Sequence, residues 1–207
     1  SNNRWQTETR TVTMLLVYSE EAAQRLGDSA MQARLYEGVR LTNEALQNSR
    51  ANFYVKAVGI MKRQLQGGTL GTVLPAARPD NVIQTRRNEV AADAVYYEGT
   101  ESGCGLAYIN APATWMVGTG SLNCGTTVMR HEFGHNMGLD HAGEDGGSAP
   151  YAKGFGPIKT VMGGNAIPYF ANPRLFTQDF GLKMGIEDEV DAVRAMNDRS
   201  LAVSLFR

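Results

Sequence analysis

The only three histidines of this 207-residue chain lie within eleven consecutive residues. Residues 131–141 read HEFGHNMGLDH, which follows the pattern H-E-x-x-H-x-x-G-x-x-H. On an α-helix, His131 and His135 are one turn apart on the same face, so both imidazoles can reach one Zn²⁺ ion at about 2.0 to 2.1 Å. The spacing therefore predicts a zinc site built on a helix.

Gly138 and His141 complete the predicted site. Glycine tolerates the left-handed conformation that closes a helix C-terminus, so the chain can turn at Gly138 and bring His141 back to the metal. Three nitrogen ligands leave one coordination position for a water molecule, whose pKa zinc lowers to about 7. Glu132, beside the first ligand, would act as the general base for that water and pass the proton to a leaving amine. The pattern thus predicts one catalytic zinc ion and hydrolysis of an amide bond.

Other interpretations of the motif remain open. A structural zinc ion usually has four protein ligands, often including cysteine, and no fourth ligand is placed by this sequence. A catalytically silent binding module could keep zinc for stability, although it would have no need of Glu132. A hydrolase of non-peptide amides could use the same chemistry, and substrate profiling would separate it from a protease.

Composition predicts a single catalytic domain over residues 1–207. The chain is 43% hydrophobic and 20% charged, and no break in composition divides it. We expect an upper subdomain over about residues 1–139, a lower one over about 140–207, and a monomer. A net charge of -1 and an isoelectric point near 6.3 give no reason to expect nucleic acid as a partner. No apolar stretch is long enough for membrane insertion.

Composition fits a stable secreted, extracellular enzyme, and the two cysteines alone do not settle the compartment. Residues 1–6 are polar and lack the apolar core of a signal peptide, so we expect a processed form or an excised domain. A disulfide between Cys104 and Cys124 would brace the entrance to the site and stabilise the fold by about 3 kcal/mol on the loop-entropy model. The alternative is a pair of free, buried thiols in a reducing compartment.

Hydrophobic patterning predicts alternating strands and helices in the first half of the chain. Strands are expected at residues 11–18, 53–61 and 94–97. Apolar residues recur at steps of three and four from Met31 to Leu46, which indicates a long helix, and a second helix is expected over residues 81–92. Glycines and prolines predict a loop over residues 66–79 between them. The order is β-α-β-α-β.

The second half is expected to be less regular. Residues 106–109 and 115–117 predict short strands, and the zinc helix should run from Thr126 or Thr127 to Leu139. Many glycines and prolines after His141 predict little regular structure there. A closing helix is then marked by four residues at helical spacing: Ile186, Val190, Val193 and Asn197.

Two motifs together resemble those of the metzincin zinc metalloendopeptidases. The run of residues 131–141 matches the clan's zinc motif, and TVMG at residues 160–163 stands where its methionine-containing turn should lie. The resemblance implies that Met162 forms an apolar floor beneath the ligating imidazoles. It also implies an α/β (α+β) zincin fold, in which a twisted mixed sheet with helices carries the zinc helix at a cleft. A small irregular C-terminal subdomain ending in a helix completes this expected fold.

Within the clan, the chain is similar to the reprolysin-like branch and to bacterial peptidyl-Asp metalloendopeptidase-like proteins. The likeness includes the β-α-β opening, GLAY at residues 105–108 and PYFANP at 168–173. Ala142 departs from the aspartate that usually follows the third histidine in animal reprolysin-like enzymes. Gly164 stands where astacins and serralysins carry a tyrosine, which argues against a tyrosine ligand. Matrixins share HEFGH, but their proline soon after the methionine is missing.

The resemblance also implies how substrate binds. An extended protein or peptide would pair with an edge strand near residues 105–110, through Gly105, Leu106, Ala107 and Tyr108. A preference for acidic residues next to the cut would need a basic side chain, for which Lys159 and Arg174 are the candidates. An ordinary edge strand and ordinary surface charges are the alternatives. Glycoproteins are further candidate substrates, and calcium is undetermined because no D-x-[DN]-x-[DN]-G loop is present.

Overall fold

The computed structural model of the protein describes residues 9–179 and 181–207. Its central element is a five-stranded mixed sheet. Its strands are β1 (Arg10–Tyr18), β2 (Phe53–Lys62), β3 (Ala94–Gly99), β4 (Gly105–Ala107) and β5 (Val117–Ser121). They lie in the order β2-β1-β3-β5-β4. All neighbouring strands pair in parallel except β4, which runs antiparallel to β5 at one edge of the sheet.

Helices cover both faces of this sheet. They are α1 (Glu20–Leu26), α2 (Asp28–Asn48), α3 (Leu70–Ala77), α4 (Asn81–Glu89), α5 (Val128–Asn136) and α6 (Ala192–Ser204). Successive residues of β1 point to opposite faces: Leu16 packs in the core that contains α2 and α5, whereas Leu15 packs in the core that contains α3 and α4. Burial on both faces explains why β1 is an almost continuous apolar run. The predicted fold class, a mixed sheet with helices and a zinc-motif helix, is confirmed.

The predicted loop over residues 66–79 is wrong in part, because α3 lies within it. Thr69 caps this helix through a capping box with Thr72, and Pro75 lies inside it. Proline and glycine weigh against a helix in isolation. Here the apolar face of α3 packs into the core between α4 and the sheet, and that tertiary contact outweighs local propensity. The sequence also gave no indication of α1.

The predicted strand over residues 115–117 is wrong at its first half. Ala113–Trp115 form a 3₁₀ turn, and β5 instead runs from Val117 to Ser121. The sequence of this strand, VGTGS, does not indicate a strand, because glycine is depleted in strands. Its glycines make room for neighbours: a Cβ at Gly120 would overlap the hydroxyl of Tyr96 on the adjacent strand. Packing across the sheet therefore selects residues that local propensity disfavours.

The region after His141 is mostly irregular, as expected, but it contains a hairpin that the sequence did not indicate. Its strands are β6 (Asn172–Thr177) and β7 (Leu182–Met184). The closing helix begins later than predicted, because Ile186 and Val190 form an isolated β-bridge before it. Asp191 then caps α6 by accepting a hydrogen bond from the backbone N–H of Arg194. The division into subdomains near residue 139 stays a prediction.

Candidate metal centre

Three imidazole nitrogens converge at the C-terminal half of α5. The Nε2 atom of His141 lies 3.2 Å from Nε2 of His131 and 3.1 Å from Nε2 of His135. Tetrahedral ligands about 2.0 to 2.1 Å from one zinc ion stand about 3.3 Å apart, so these separations suit one small metal ion. The structure brings together the three predicted ligands.

Backbone carbonyls orient the two imidazoles on α5. Nδ1 of His131 donates a hydrogen bond to the carbonyl of Val161 (2.9 Å), and Nδ1 of His135 donates to that of Leu139 (2.8 Å). A carbonyl can only accept, so each ring carries its proton on Nδ1 and its lone pair on Nε2. That is the tautomer which lets Nε2 bind a metal, and the donor set therefore fits zinc.

Burial keeps these imidazoles neutral. It lowers the pKa of His131, and it lowers the pKa of His135 to about 4. A protonated imidazole has no lone pair for a metal, so a lowered pKa keeps both nitrogens available in neutral solution.

The turn after α5 is a Schellman motif. Gly138 has φ of 105°, its N–H donates to the carbonyl of His135 (2.9 Å), and the N–H of Leu139 donates to that of Gly134 (3.0 Å). This turn ends α5 at Asn136, earlier than the predicted Leu139. The chain changes direction at this turn, and the third histidine then faces the first two.

Asp140 fixes the segment that carries His141. The residue is 5% exposed, and its carboxylate accepts hydrogen bonds from the backbone N–H groups of His141 (2.8 Å) and Gly146 (2.7 Å). Burial opposes ionisation, yet these hydrogen bonds hold the pKa of Asp140 below its ordinary value. Sequence analysis missed this residue, because an aspartate beside a histidine gives no sign of which backbone groups it will bind.

Glu132 lies against the edge strand. The residue is 5% exposed, and burial raises its pKa to about 8. A Cβ on Gly105 would stand 2.7 Å from its Oε2 atom, so the missing side chain of Gly105 leaves the space in which the carboxylate lies. A carboxyl group with this pKa can exchange protons near neutral pH, and a nearby cation would favour its ionised form.

Met162 packs beneath the helix, in the place predicted for the metzincin methionine. It is buried, and its sulfur lies where a Cβ on Gly134 would overlap it at 2.7 Å. Gly134 stands between the first two ligands, so the sulfur is close to the helix backbone there. The carbonyl of Met162 also accepts a hydrogen bond from the N–H of Ala142 (3.0 Å), which ties this turn to the third ligand.

The edge strand is joined to α5 by a side chain that sequence analysis did not single out. Asn136 donates through Nδ2 to the carbonyls of Tyr108 (2.9 Å) and Val117 (3.1 Å). Of the four predicted substrate-contacting residues, Gly105, Leu106 and Ala107 form β4, and Tyr108 follows it. Leu106 is 39% exposed, as expected at a sheet edge.

The two basic candidates occupy different environments. Lys159 is exposed, and its backbone has the left-handed conformation. Its side chain packs against Gly164, next to the turn that contains Met162. Arg174 makes a bidentate ion pair with Asp191 at 2.5 and 2.9 Å. It lines a cavity of about 690 Å³ to which none of the predicted zinc ligands contributes. Arg174 and the predicted zinc ligands therefore do not share this cavity.

The predicted disulfide is present. Cys104 and Cys124 are bonded, with their Cα atoms 5.2 Å apart. The bridge joins the residue before β4 to the loop that leads into α5. It thereby connects the edge strand and the histidine-bearing helix, as expected for a brace. Over the described residues, no helix combines the length and apolar character needed to span a membrane.

Comparisons with known proteins agree with this geometry. The family model Reprolysin_5, of metallo-peptidase family M12, matches residues 8–173. The chain is 26% identical, over an alignment of 245 residues, to a peptidyl-Asp metalloendopeptidase of Pseudomonas aeruginosa; the match covers 96% of this chain and 40% of that protein. A solved structure described as "Structure of a chaperone-substrate complex" superposes with a TM-score of 0.91 at 39% identity, covering 97% of this chain and 35% of the other. The chain therefore spans well under half the length of both.

Proposed function

The chain belongs to metallo-peptidase family M12, and from that premise we propose that it is a zinc-dependent endopeptidase in which His131, His135 and His141 hold the metal. The observation that carries this proposal is the convergence of three Nε2 atoms, with the two helical rings oriented by backbone carbonyls. A bound zinc ion would supply Lewis-acid polarisation of the scissile carbonyl and of the attacking water.

Glu132 is the proposed general base. It accepts a proton from the attacking water and then gives that proton to the leaving amine nitrogen. Two features support this role: the carboxyl group is buried beside the first ligand, and Gly105 leaves it room against the edge strand. A silent binding module that used zinc only for stability would not need a buried acid at this place.

We propose that substrate lies antiparallel to β4 and pairs with its main chain. Only β5 neighbours β4 in the described sheet, so the other edge of β4 is available for a peptide. Main-chain pairing would fix the position of the peptide and leave sequence selection to side-chain pockets. Proteins and peptides are the proposed substrates, glycoproteins included.

An acidic preference next to the cut is proposed by analogy with the Pseudomonas relative, whose name specifies peptidyl-Asp cleavage. Lys159 is the better candidate for that selection because it is exposed beside the Met162 turn, whereas Arg174 is engaged by Asp191. Action outside the cell is likewise a proposal, and the disulfide supports it, since such bridges persist in oxidising compartments.

Proteolysis of a diverse peptide library by the purified chain, with each cut mapped by mass spectrometry, tests these proposals. We expect cuts that a zinc chelator abolishes and that Glu132→Gln reduces by at least about a thousandfold while zinc content stays unchanged. Glu89→Gln, which neutralises an exposed glutamate on α4, is the matched control and should cut normally.

The cut sites also test specificity. Lys159→Ala should reduce the preference for an acidic residue just after the cut and leave cleavage of neutral sequences unchanged. If the folded, zinc-loaded wild-type chain cleaves no peptide of the library, this result would contradict the proposed endopeptidase activity. Cleavage by Glu132→Gln at the wild-type rate would contradict the assigned base.

A further inference from the structure

A second polar cavity lies apart from the three histidines. It has a volume of about 370 Å³ and lies between the first turn of α1, the loop of residues 64–68, and residues 100–101 after β3. The described residues that line it include the carboxylates of Glu21 and Glu101 and no lysine, arginine or histidine. We refer to this space as the Glu101 cavity. The described lining of the cavity therefore carries negative charge that no positively charged side chain of the lining compensates.

Glu101 is the unusual group in this cavity. Its residue is 7% exposed, and its Oε2 atom is fully buried without a hydrogen-bond partner. Burying an unpaired polar atom costs free energy, and the cost is larger for a charged group. An acid held in this way calls for a partner that supplies positive charge.

The backbone does not allow Glu101 to move easily out of the cavity. Its carbonyl accepts hydrogen bonds from Oγ of Ser121 (2.5 Å) and Nδ2 of Asn123 (2.8 Å). Its carboxylate lies against Gly99, where any Cβ would overlap it. The missing side chain at Gly99 thus provides the space in which the carboxylate is held.

Other oxygen atoms stand close to this carboxylate. Oε2 of Glu21, which also lines the cavity, accepts a hydrogen bond from Oγ1 of Thr100 (2.9 Å). The buried hydroxyl of Tyr97 has a pKa raised to about 12 by burial, and the charges of Glu101 and Glu21 add to that rise. The negative charges of both acids therefore act on the Tyr97 hydroxyl. The carboxylate oxygens that line the cavity are metal ligands of the kind that hard cations prefer.

We propose that the Glu101 cavity binds a cation, with Glu101 as the principal ligand and Glu21 as the second. The cation can be a free divalent ion, for which Ca²⁺ is the natural probe, or the charged end of a basic side chain from another segment or partner. Both sources would neutralise the same buried carboxylate. The oxygen-only donor set separates this site from the histidine site, which suits zinc.

The position of the cavity suggests what a bound cation would do. Glu101 stands three residues before Cys104 and four before Gly105, where the edge strand begins. A cation held by Glu101 and Glu21 would link α1 to the segment that leads into that strand. We expect it to stabilise this part of the fold.

Calorimetric titration of the zinc-loaded chain tests the proposal. CaCl₂ and, separately, N-acetyl-arginine amide are added at constant ionic strength, and zinc content is measured before and after. The variants are Glu101→Gln and Glu21→Gln, which remove charge with little change of shape. Glu20→Gln is the matched control, because this exposed acid is also in the first turn of α1 but does not line the cavity.

Binding of either probe to wild type and to Glu20→Gln, weakened at least about tenfold by Glu101→Gln and also by Glu21→Gln, would support the proposal. Calcium binding would identify a free ion as the source, and binding of the arginine derivative alone would identify a basic side chain. Failure of both probes to bind wild type, or equal binding by Glu101→Gln, would overturn it.

A second readout avoids dependence on the probes. In cation-free buffer, Glu101→Gln should unfold at a higher temperature than wild type, because it removes an unpaired buried charge. Wild type should then gain thermal stability on addition of the cation that it binds, whereas the variant should not. A variant that is less stable than wild type without any cation would contradict the proposed role of Glu101.

Discussion

At the scale of single residues, the contact between Glu132 and Gly105 connects the acid–base group with the strand proposed to hold substrate. A Cβ at position 105 would also stand 2.7 Å from Cγ1 of Val128 on α5. Asn136 ties α5 to the sheet here, because it donates hydrogen bonds to the carbonyl of Tyr108, just after β4, and to that of Val117 in the neighbouring strand β5. A side chain placed at position 105 would therefore displace the Glu132 side chain, the Val128 side chain or both.

Gly105→Ala should consequently impair chemistry more than metal binding. We expect kcat to fall by about tenfold or more as the carboxylate is displaced, with zinc content unchanged. Kinetic assays and metal analysis of the purified variant check this. Gly125→Ala is the matched control, because nothing lies within 4 Å of a Cβ there. A fully active Gly105→Ala enzyme would show that the contact does not position Glu132.

At the scale of elements, the turn from α5 to the third ligand depends on Asp140 as well as on Gly138. The Asp140 carboxylate accepts from two backbone N–H groups at once, and an asparagine side chain offers only one oxygen for them. Asp140→Asn should weaken zinc binding by about tenfold to a hundredfold, as measured by competition with a chelator. Asp145→Asn removes an exposed acid from the same loop and should bind zinc as wild type does. Equal affinity of Asp140→Asn and wild type would rule out this role.

The elements also show where prediction from sequence succeeds. The sequence predicts four elements, β1, α2, β2 and β3, because their apolar residues repeat with the period of a strand or helix. This period places the apolar side chains on the faces that are buried in the fold. β5 and α3 were missed because their glycine and proline residues are tolerated only through contacts with distant residues. The sequence predicts the convergence of the three histidines because all of them lie within eleven residues. Asp140 and Asn136 act through backbone groups that only the fold brings near, so no local pattern reveals them.

At the scale of the whole molecule, the buried acid at the metal centre makes stability depend on pH. Burial raises the pKa of Glu132 from 4.5 to about 8, so the folded, metal-free protein holds a proton that the unfolded chain has lost. The contribution of Glu132 is therefore fully present below about pH 4.5 and is lost as pH rises through about 8.

Urea denaturation of the metal-free wild type and of metal-free Glu132→Gln checks this sign. The free energy of unfolding of wild type, relative to the variant, should fall between about pH 5 and about pH 8. The histidines titrate in both proteins, so their contributions cancel in the difference. A difference that stays constant over this interval would contradict the burial of an unpaired carboxyl at this place.

The hydrogen bonds that α6 makes to distant segments have a consequence for the order in which the protein folds. Arg199 on this helix donates from Nη2 to the carbonyls of Ala111 (2.8 Å) and Asn136 (3.3 Å), and from Nη1 to Oδ1 of Asn110 (2.5 Å). It thus closes the C-terminal end of the histidine-bearing helix from a position more than fifty residues later in the chain. β1, an interior strand of the sheet, likewise pairs with β3, which lies about eighty residues later in the chain. A chain that has been synthesised only as far as the histidines therefore still lacks these contacts, so we expect the predicted metal centre to be completed only after α6 has formed.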